Sequence, residues 1–389
     1  MEPDTPPAAI PAMAVPRWIA VFSFLAFLLA LVAGIEIVAR VLAAGTGNPE
    51  LQRIVSDYGR LVRQGPEWIR FVPDAELSYR LRPGFELLSP DGGAITRHNA
   101  QGFRNTRDFG PKLPGVLRIA CYGASTTYGV GVGDNRDTYP AQLEEALNGP
   151  YKPAGWERVE VWNLGVGGYT SREILGTLKR TLPELAPDVV LLQNAINDVI
   201  PRFYPDYAAD YSHFRIPFSP LELTASRRLM YRSHAWLMFA YGMGWIRPLS
   251  LQSQTQHPMP TVDEALANLE KNPPMGFEQN LSEAVRAAQE AGCDVWLLTQ
   301  AYLDVPDFLG PNEESRRLEG GYRRGLQQHT ALVTALAERT GAGLIPLHES
   351  TPRQRPLFTD PIHMSASGNR VKAELIAKAL APSLDRAGE

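Results

Sequence analysis

Four short segments of this chain carry residues suited to nucleophilic chemistry, although they lie far apart in sequence. Gly123-Ala124-Ser125-Thr126-Thr127-Tyr128-Gly129 offers a serine hydroxyl directly after an apolar run. Asn163-Leu164-Gly165-Val166-Gly167-Gly168-Tyr169-Thr170-Ser171 is a glycine loop after a second run. Gln193-Asn194-Ala195-Ile196-Asn197-Asp198 closes a third, and Asp360-Pro361-Ile362-His363 precedes the last amphipathic stretch. A serine hydroxyl is a weak nucleophile and needs a base beside it. An imidazole such as His363 takes that proton and later delivers it to the leaving group. Asp360, three residues earlier, reaches the other ring nitrogen from the same turn and fixes the tautomer. Taken alone, Ser125 also reads as a turn serine capping the next helix. The other three segments give it a chemical context.

Other residue types say less. Gly129, Gly131 and Gly133 alternate, but Asp134 stands where a dinucleotide loop needs glycine. His213, His234, His257, His329 and His348 lack metal-ligand spacing and read as solvated or hydrogen-bonded surface side chains. Cys121 and Cys293 cannot make a disulfide framework and read as inert buried thiols. No metal or cofactor is expected. A net charge of −4 argues against nucleic-acid binding through bulk positive charge.

The elements that must position these residues follow from hydrophobic pattern. Apolar strand candidates are Leu117–Tyr122, Val159–Asn163, Val189–Gln193, Val295–Thr299 and Leu344–Leu347. Amphipathic helix candidates are 138–148, 171–183, 277–291, 321–340 and 366–381. Short, nearly all-apolar strands alternating with helices predict an α/β fold, a parallel sheet covered on both faces. In such sheets ligands bind beyond the carboxyl ends of the strands, where Ser125, the glycine loop and Asn197 fall. The long connection 200–276 leaves directly after Asn197, so it is expected to cover or border the site, with its base near the oxyanion hole. Its basic, amphipathic stretch 224–246 is expected to pack on the catalytic domain, with a membrane-facing role as the alternative. Residues 45–115, polar and rich in Pro and Gly, read as a linker and N-terminal extension with one short strand at Leu77–Leu81 and a turn at His98–Arg104.

Together the four segments resemble the SGNH hydrolases, the GDSL-like esterase and lipase family. Gly-x-Ser-x-Thr matches around Ser125, Asn-x-Gly-x-x-Gly ends at Gly168, Asn-Asp falls at Asn197, and Asp-x-x-His runs from Asp360 to His363. They stand in the family's order and cover about 117–381. The resemblance implies a flavodoxin-like three-layer α/β/α sandwich with a five-stranded parallel sheet over 116–389. It also implies a Ser125-His363-Asp360 triad. The oxyanion hole would comprise the backbone N–H groups of Ser125 and Gly168 and the side-chain amide of Asn197. Two positions depart from the pattern: Ala124 replaces an Asp, and Ala195 replaces a Gly, adding a methyl beside the oxyanion site. The activity implied is a serine esterase acting on acyl or acetyl esters, with a small-molecule or glycan ester as substrate. An O-acyltransferase using the same nucleophile and a catalytically inactive binding module are the alternatives.

The N-terminus adds a location. After a flank at 1–17, Trp18–Ile35 is 18 residues without a charge, and the apolar pattern continues to Ala44. At ~1.5 Å per residue the uncharged run covers ~27 Å, nearly the hydrocarbon thickness. Glu36 and Arg40 are spaced to pair on a helix. A retained transmembrane anchor over 18–44 is expected over a signal peptide cleaved at Ala43-Ala44-Gly45, because charges fall between core and cleavage site. The 32 arginines against six lysines suggest the coding bias of a GC-rich bacterium. With the resemblance to anchored bacterial members, this places the protein in a bacterial cell membrane, single-pass, with its catalytic domain outside the cytoplasm. No obligate protein partner is expected.

Overall fold

A computed structural model describes residues 16–88, 95–215, 223–249 and 259–385. Most of the 1–17 flank, His257, and the parts 216–222 and 250–258 of the long connection lie outside the described residues. The chain divides into two compact units, Met1–Pro66 with Glu222–Ser250, and Glu67–Leu221 with Leu251–Glu389. This partition differs from the sequence-based boundaries at 44, 115 and 200–276.

The first unit begins with α1 (Arg17–Gly45), a helix long and apolar enough to cross a membrane. The Glu36–Arg40 pair forms on it, Nε to Oε1 2.8 Å. The next helix, α2 (Pro49–Gln64), was not anticipated within the linker. Its signals are in the sequence: Asn48 caps the N–H groups of Glu50 and Leu51, Pro49 takes the first helical position, and Leu51, Ile54, Tyr58 and Leu61 bury one face.

In the second unit the extension supplies two antiparallel hairpins. They are β1 (Phe71–Asp74) with β2 (Ser78–Leu81), and β3 (Glu86–Leu88) with β4 (Ile95–Arg97). The turn at 98–104 closes through Asn99 N–H to Phe103 O and Gly102 N–H to Asn99 O. The α/β layer then runs β5 (Val116–Gly123), α3 (Ser125–Tyr128), α4 (Tyr139–Leu147), β6 (Arg158–Gly165), α5 (Ser171–Leu185) and β7 (Val189–Gln193).

The connection after β7 holds α6 (Ala225–Met230) and α7 (His234–Gly242), which belong to the first unit with α1 and α2. The stretch 224–246, expected to pack on the catalytic domain, is thus grouped with the N-terminal helices. The remainder is α8 (Val262–Lys271), α9 (Met275–Glu290), β8 (Asp294–Leu298), α10 (Glu313–Thr340), β9 (Gly343–Ile345), α11 (Leu347–Ser350) and α12 (Ala366–Leu384). Several ends shift from the pattern, two of them with a clear local cause. α10 starts at Glu313, not 321, because Asn312 caps the N–H of Ser315 at 2.7 Å. β9 stops at Ile345, because Pro346 has no N–H for the ladder.

The five strands form one parallel sheet in the order β6-β5-β7-β8-β9. Period-two alternation splits its core between two faces. Ala120, Tyr122, Leu164, Val190 and Leu192 pack with residues of α5, α9 and α10. Ile119, Cys121, Val161, Val189 and Leu191 pack with residues of α4 and α12. The result is the three-layer sandwich with helices on both faces.

Candidate active site

β5 ends at Gly123, level with Gly165 of β6 and Gln193 of β7. The loops carrying Ser125, Gly168 and Asn197 thus leave one edge of the sheet. Ser125 opens the single turn of α3 and is buried. That turn lies so close to β6 that a Cβ at Gly165 would stand 2.2 Å from the Tyr128 nitrogen, so the sheet needs glycine there.

The serine and the distant histidine meet. His363 Nε2 is 2.8 Å from Ser125 Oγ, and His363 Nδ1 is 2.6 Å from Asp360 Oδ2. The other carboxylate oxygen of Asp360 accepts the backbone N–H groups of Ile362 and His363 at 2.9 and 2.8 Å. Burial acts to raise the Asp360 pKa. The bonds from the His363 ring and these two amides outweigh it and hold the carboxyl below its usual range. With an ionised acceptor on Nδ1, that nitrogen carries the ring proton, and Nε2 is left to accept the serine proton.

The glycine loop is pinned by three successive carbonyls. Tyr79 Oη donates to Gly167 O at 2.9 Å, Arg215 Nη2 donates to Gly168 O, and Asn197 Nδ2 donates to Tyr169 O at 2.8 Å. Gly168 sits at φ +80°, a left-handed conformation that a side chain would strain. Arg215 is itself held by Glu173 at 2.9 Å, and Glu173 also closes the capping box of α5 through Thr170. The bond from Asn197 joins the glycine loop to the loop after β7.

Buried polar groups brace that second loop. His329 Nδ1 donates to Ala195 O at 2.8 Å, its ring stacks on Phe277 at 4.4 Å, and Arg202 Nη1 faces its Nε2 at 3.4 Å. Burial pushes the His329 pKa down to about 3, so the ring is neutral. The carboxylate of Asp198 accepts from Ser171 N–H and Oγ and from Asn194 Nδ2. Burial pushes its pKa up to about 7. Arg104 donates to Gly129 O and Gly133 O at 2.7 and 2.8 Å, holding the loop that follows the serine.

A cavity of about 230 Å³ adjoins His363, Asp360 and Asn197, walled by Ile196, Ile200, Tyr302, Phe308, Leu309 and Tyr322. A larger cleft of about 440 Å³, lined by Arg104, Arg107, Asn135 and Glu144, contains none of the four chemical segments' reacting residues.

The structure thus brings Ser125, His363 and Asp360 into one hydrogen-bonded chain and ties Asn197 to the residue after Gly168. Sequence reasoning missed Tyr79, Arg215 and His329, whose partners are all remote in sequence. Two histidines expected at the surface are buried, His329 and His213. The His213 ring receives the Ala208 N–H at 3.1 Å and lies 3.1 Å from Pro201 O. Cys121 and Cys293 are buried thiols with pKa values raised by burial to about 12 and about 11.

With this fold and geometry, the chain belongs to the GDSL-like lipase/acylhydrolase family, whose profile matches residues 121–371. It is therefore an ester-bond hydrolase by family. Solved structures similar to it include the lipase/acylhydrolase from Enterococcus faecalis, 16% identical over 70% of this chain and 100% of that one, TM-score 0.39. The acetyl xylan esterase AlAXEase is 16% identical over 68% and 100%, TM-score 0.38. The esterase EstA from Pseudoalteromonas sp. is 14% identical over 69% and 98%, TM-score 0.38. No curated protein matches the chain.

Proposed function

We propose that this protein is a serine esterase in which Ser125 is the nucleophile, His363 the general base and acid, and Asp360 the group that orients and stabilises the imidazolium. The hydrogen-bonded chain from Asp360 through His363 to Ser125 carries this reading. Ser125 Oγ attacks the ester carbonyl as His363 Nε2 takes its proton, and the carbonyl oxygen becomes an oxyanion. The N–H groups of Ser125 and Gly168 and the amide of Asn197 receive that charge. His363 then protonates the departing alkoxide, leaving Ser125 acylated. Water, deprotonated by His363, attacks the acyl carbonyl; the bond to Ser125 Oγ breaks, the acid leaves, and His363 returns the proton to the serine. The apolar cavity beside His363 suits the acyl chain of the ester.

The substrate is proposed to be an ester of the bacterial cell envelope, reached from a single-pass anchor with the catalytic domain outside the cytoplasm. The resemblance to anchored members supports that orientation. Arg17 and the amino group flank one end of the apolar run and Arg40, Arg53 and Arg60 the other, so the positive-inside rule does not decide it. Fusions at the C-terminus decide it: alkaline phosphatase should be active and β-galactosidase inactive, and the reverse pattern sinks the orientation.

The nucleophile is tested with a fluorophosphonate probe and a small chromogenic acetyl ester. Wild type should label on Ser125, and Ser125→Ala should lose both labelling and hydrolysis while keeping its thermal transition. Wild-type turnover in Ser125→Ala, or labelling of another serine, overturns the assignment. Acetate release from envelope glycans, measured with and without a sugar acceptor, separates hydrolysis from transfer.

A further inference from the structure

The first unit has a feature that esterase chemistry does not use. α7 has no charged side chain between His234 and Gly242, so it lacks a polar face, yet Phe239 is 52% exposed. Met243 and Trp245, just beyond its end, are 54% and 60% exposed. A helix apolar all round belongs inside a protein or in lipid. The rings of Trp236, Phe239 and Trp245 form one cluster, with centroids 5.4 to 6.0 Å apart.

This patch is built onto α1. The carboxylate of Glu36 accepts from Ser233 Oγ at 2.8 Å and from the backbone N–H groups of His234 and Ala235 at 3.0 and 3.3 Å. It therefore supplies the anion that a helix N-terminus favours. Ala39 and Ala43, one and two turns on, are buried and let the two helices approach. Farther along, the Tyr241 hydroxyl donates to Glu50 Oε2 at 2.9 Å, so α7 runs parallel to the end of α1. Ile37, Val38, Val41 and Leu42 of α1, the helix that α7 packs against, also remain exposed. In the same unit, residues 45–66 and 222–250 carry seven arginines against Glu50, Asp57 and Glu222, in a chain whose net charge is −4.

We infer that α7 and the following Met243–Trp245 lie in the bilayer interface beside the end of α1, in contact with anionic lipid. The inference rests on α1 being a retained membrane span. The aromatic cluster suits the headgroup boundary, where amphipathic rings concentrate. The surrounding arginines suit acidic headgroups. The occupant is lipid and not another protein, because the patch is carried on α7, which docks against a helix whose exposed apolar residues hydrocarbon must already cover. The same docking argues for retention of α1. Cleavage at Ala43-Ala44-Gly45 would remove Glu36, Ala39 and Ala43 and leave the His234 and Ala235 N–H groups of α7 without their acceptor.

The test uses the full-length protein in vesicles of phosphatidylcholine and phosphatidylglycerol, with nitroxide labels at Phe239→Cys, Trp245→Cys, Val32→Cys and, as a wet control, Glu313→Cys. Collision with oxygen and with a water-soluble nickel chelate reports depth. The labels at 239 and 245 should shift toward oxygen and away from nickel relative to 313, and less than the label at 32. Water-like collision at 239 and 245 with a lipid-buried label at 32 overturns the interfacial placement and leaves the anchor standing. A wet label at 32 overturns the anchor and the inference with it. Low collision with both reagents at 239 and 245 means that protein covers the patch, which also overturns it. None of these outcomes bears on Ser125, so the esterase reading stands or falls separately.

Discussion

Tyr79 lies outside the 121–371 family match, yet its hydroxyl holds the carbonyl of Gly167. Across a trans peptide the C=O and N–H point in opposite directions. Fixing Gly167 O therefore fixes the direction of the Gly168 N–H, a proposed oxyanion donor. Tyr79→Phe removes that bond but keeps the ring that packs against Phe71 and Tyr169. We expect kcat to fall about tenfold, ~1.4 kcal/mol, with KM nearly unchanged, because the lost orientation matters most in the transition state. A boronic acid that forms a tetrahedral adduct should weaken in step. Unchanged kcat and unchanged boronate affinity would show that Gly168 is held without Tyr79. Asn197→Ala should cost more, on the order of 10²-fold in kcat, since it removes a donor outright and frees the Tyr169 carbonyl. Comparable kcat and KM effects on its removal would argue for a binding role instead. Leu309→Trp should lower kcat/KM for a hexanoyl ester more than for an acetyl ester, because Leu309 walls the cavity beside His363. Equal losses for both esters would place the acyl chain elsewhere.

Among the elements, α12 closes one face of the sheet and carries a lysine inward. Lys372 is fully buried; its Nζ donates to Gln193 Oε1 at 2.5 Å and lies 3.6 Å from the Tyr139 ring centroid. Burial lowers its pKa from 10.5 to about 7. The unfolded chain thus binds a proton that the native state has released between about pH 7 and 10.5. Unfolding takes up protons in that window, so this residue makes stability rise with pH, by a few kcal/mol at most given ~1.4 kcal/mol per unit. Denaturant midpoints for wild type and Lys372→Met, taken from pH 7 to pH 10, should show a flatter slope in the variant. Parallel slopes would mean that Lys372 keeps its ordinary affinity for protons.

For the molecule as a whole, the chain leaves the first unit after Pro66, returns at Glu222 and leaves again after Ser250. The ester hydrolase is therefore interrupted in sequence by a piece of the first unit. A retained anchor predicts that protein isolated from membranes keeps Trp18–Ala44 in its intact mass and resists carbonate extraction. Release into the soluble fraction with a new N-terminus near Gly45 would show a cleaved signal sequence.

The four chemical segments, the five strands and the apolar N-terminal helix were legible in the sequence because each is local. A strand end, a Gly-x-x-Gly loop, an Asp-x-x-His turn and a run of uncharged residues are written in consecutive residues. Local signals at Asn48-Pro49 also announced α2, though the polar composition around them masked it. Tertiary structure alone decided what joins these pieces. The bond from His363 to Ser125 spans 238 positions and exists only because the parallel sheet brings the β5 end and the loop before α12 to one edge. The same holds for Tyr79 on Gly167, His329 on Ala195 and Glu36 on α7. Each is a side chain meeting a backbone group whose identity no pattern encodes, since every residue offers the same carbonyl and nearly all offer the same N–H. Hydrophobic periodicity says which face of an element is buried, but not against which neighbour. That is why 224–246, readable as amphipathic, could be assigned to the unit of the N-terminal helices only once the chain was folded.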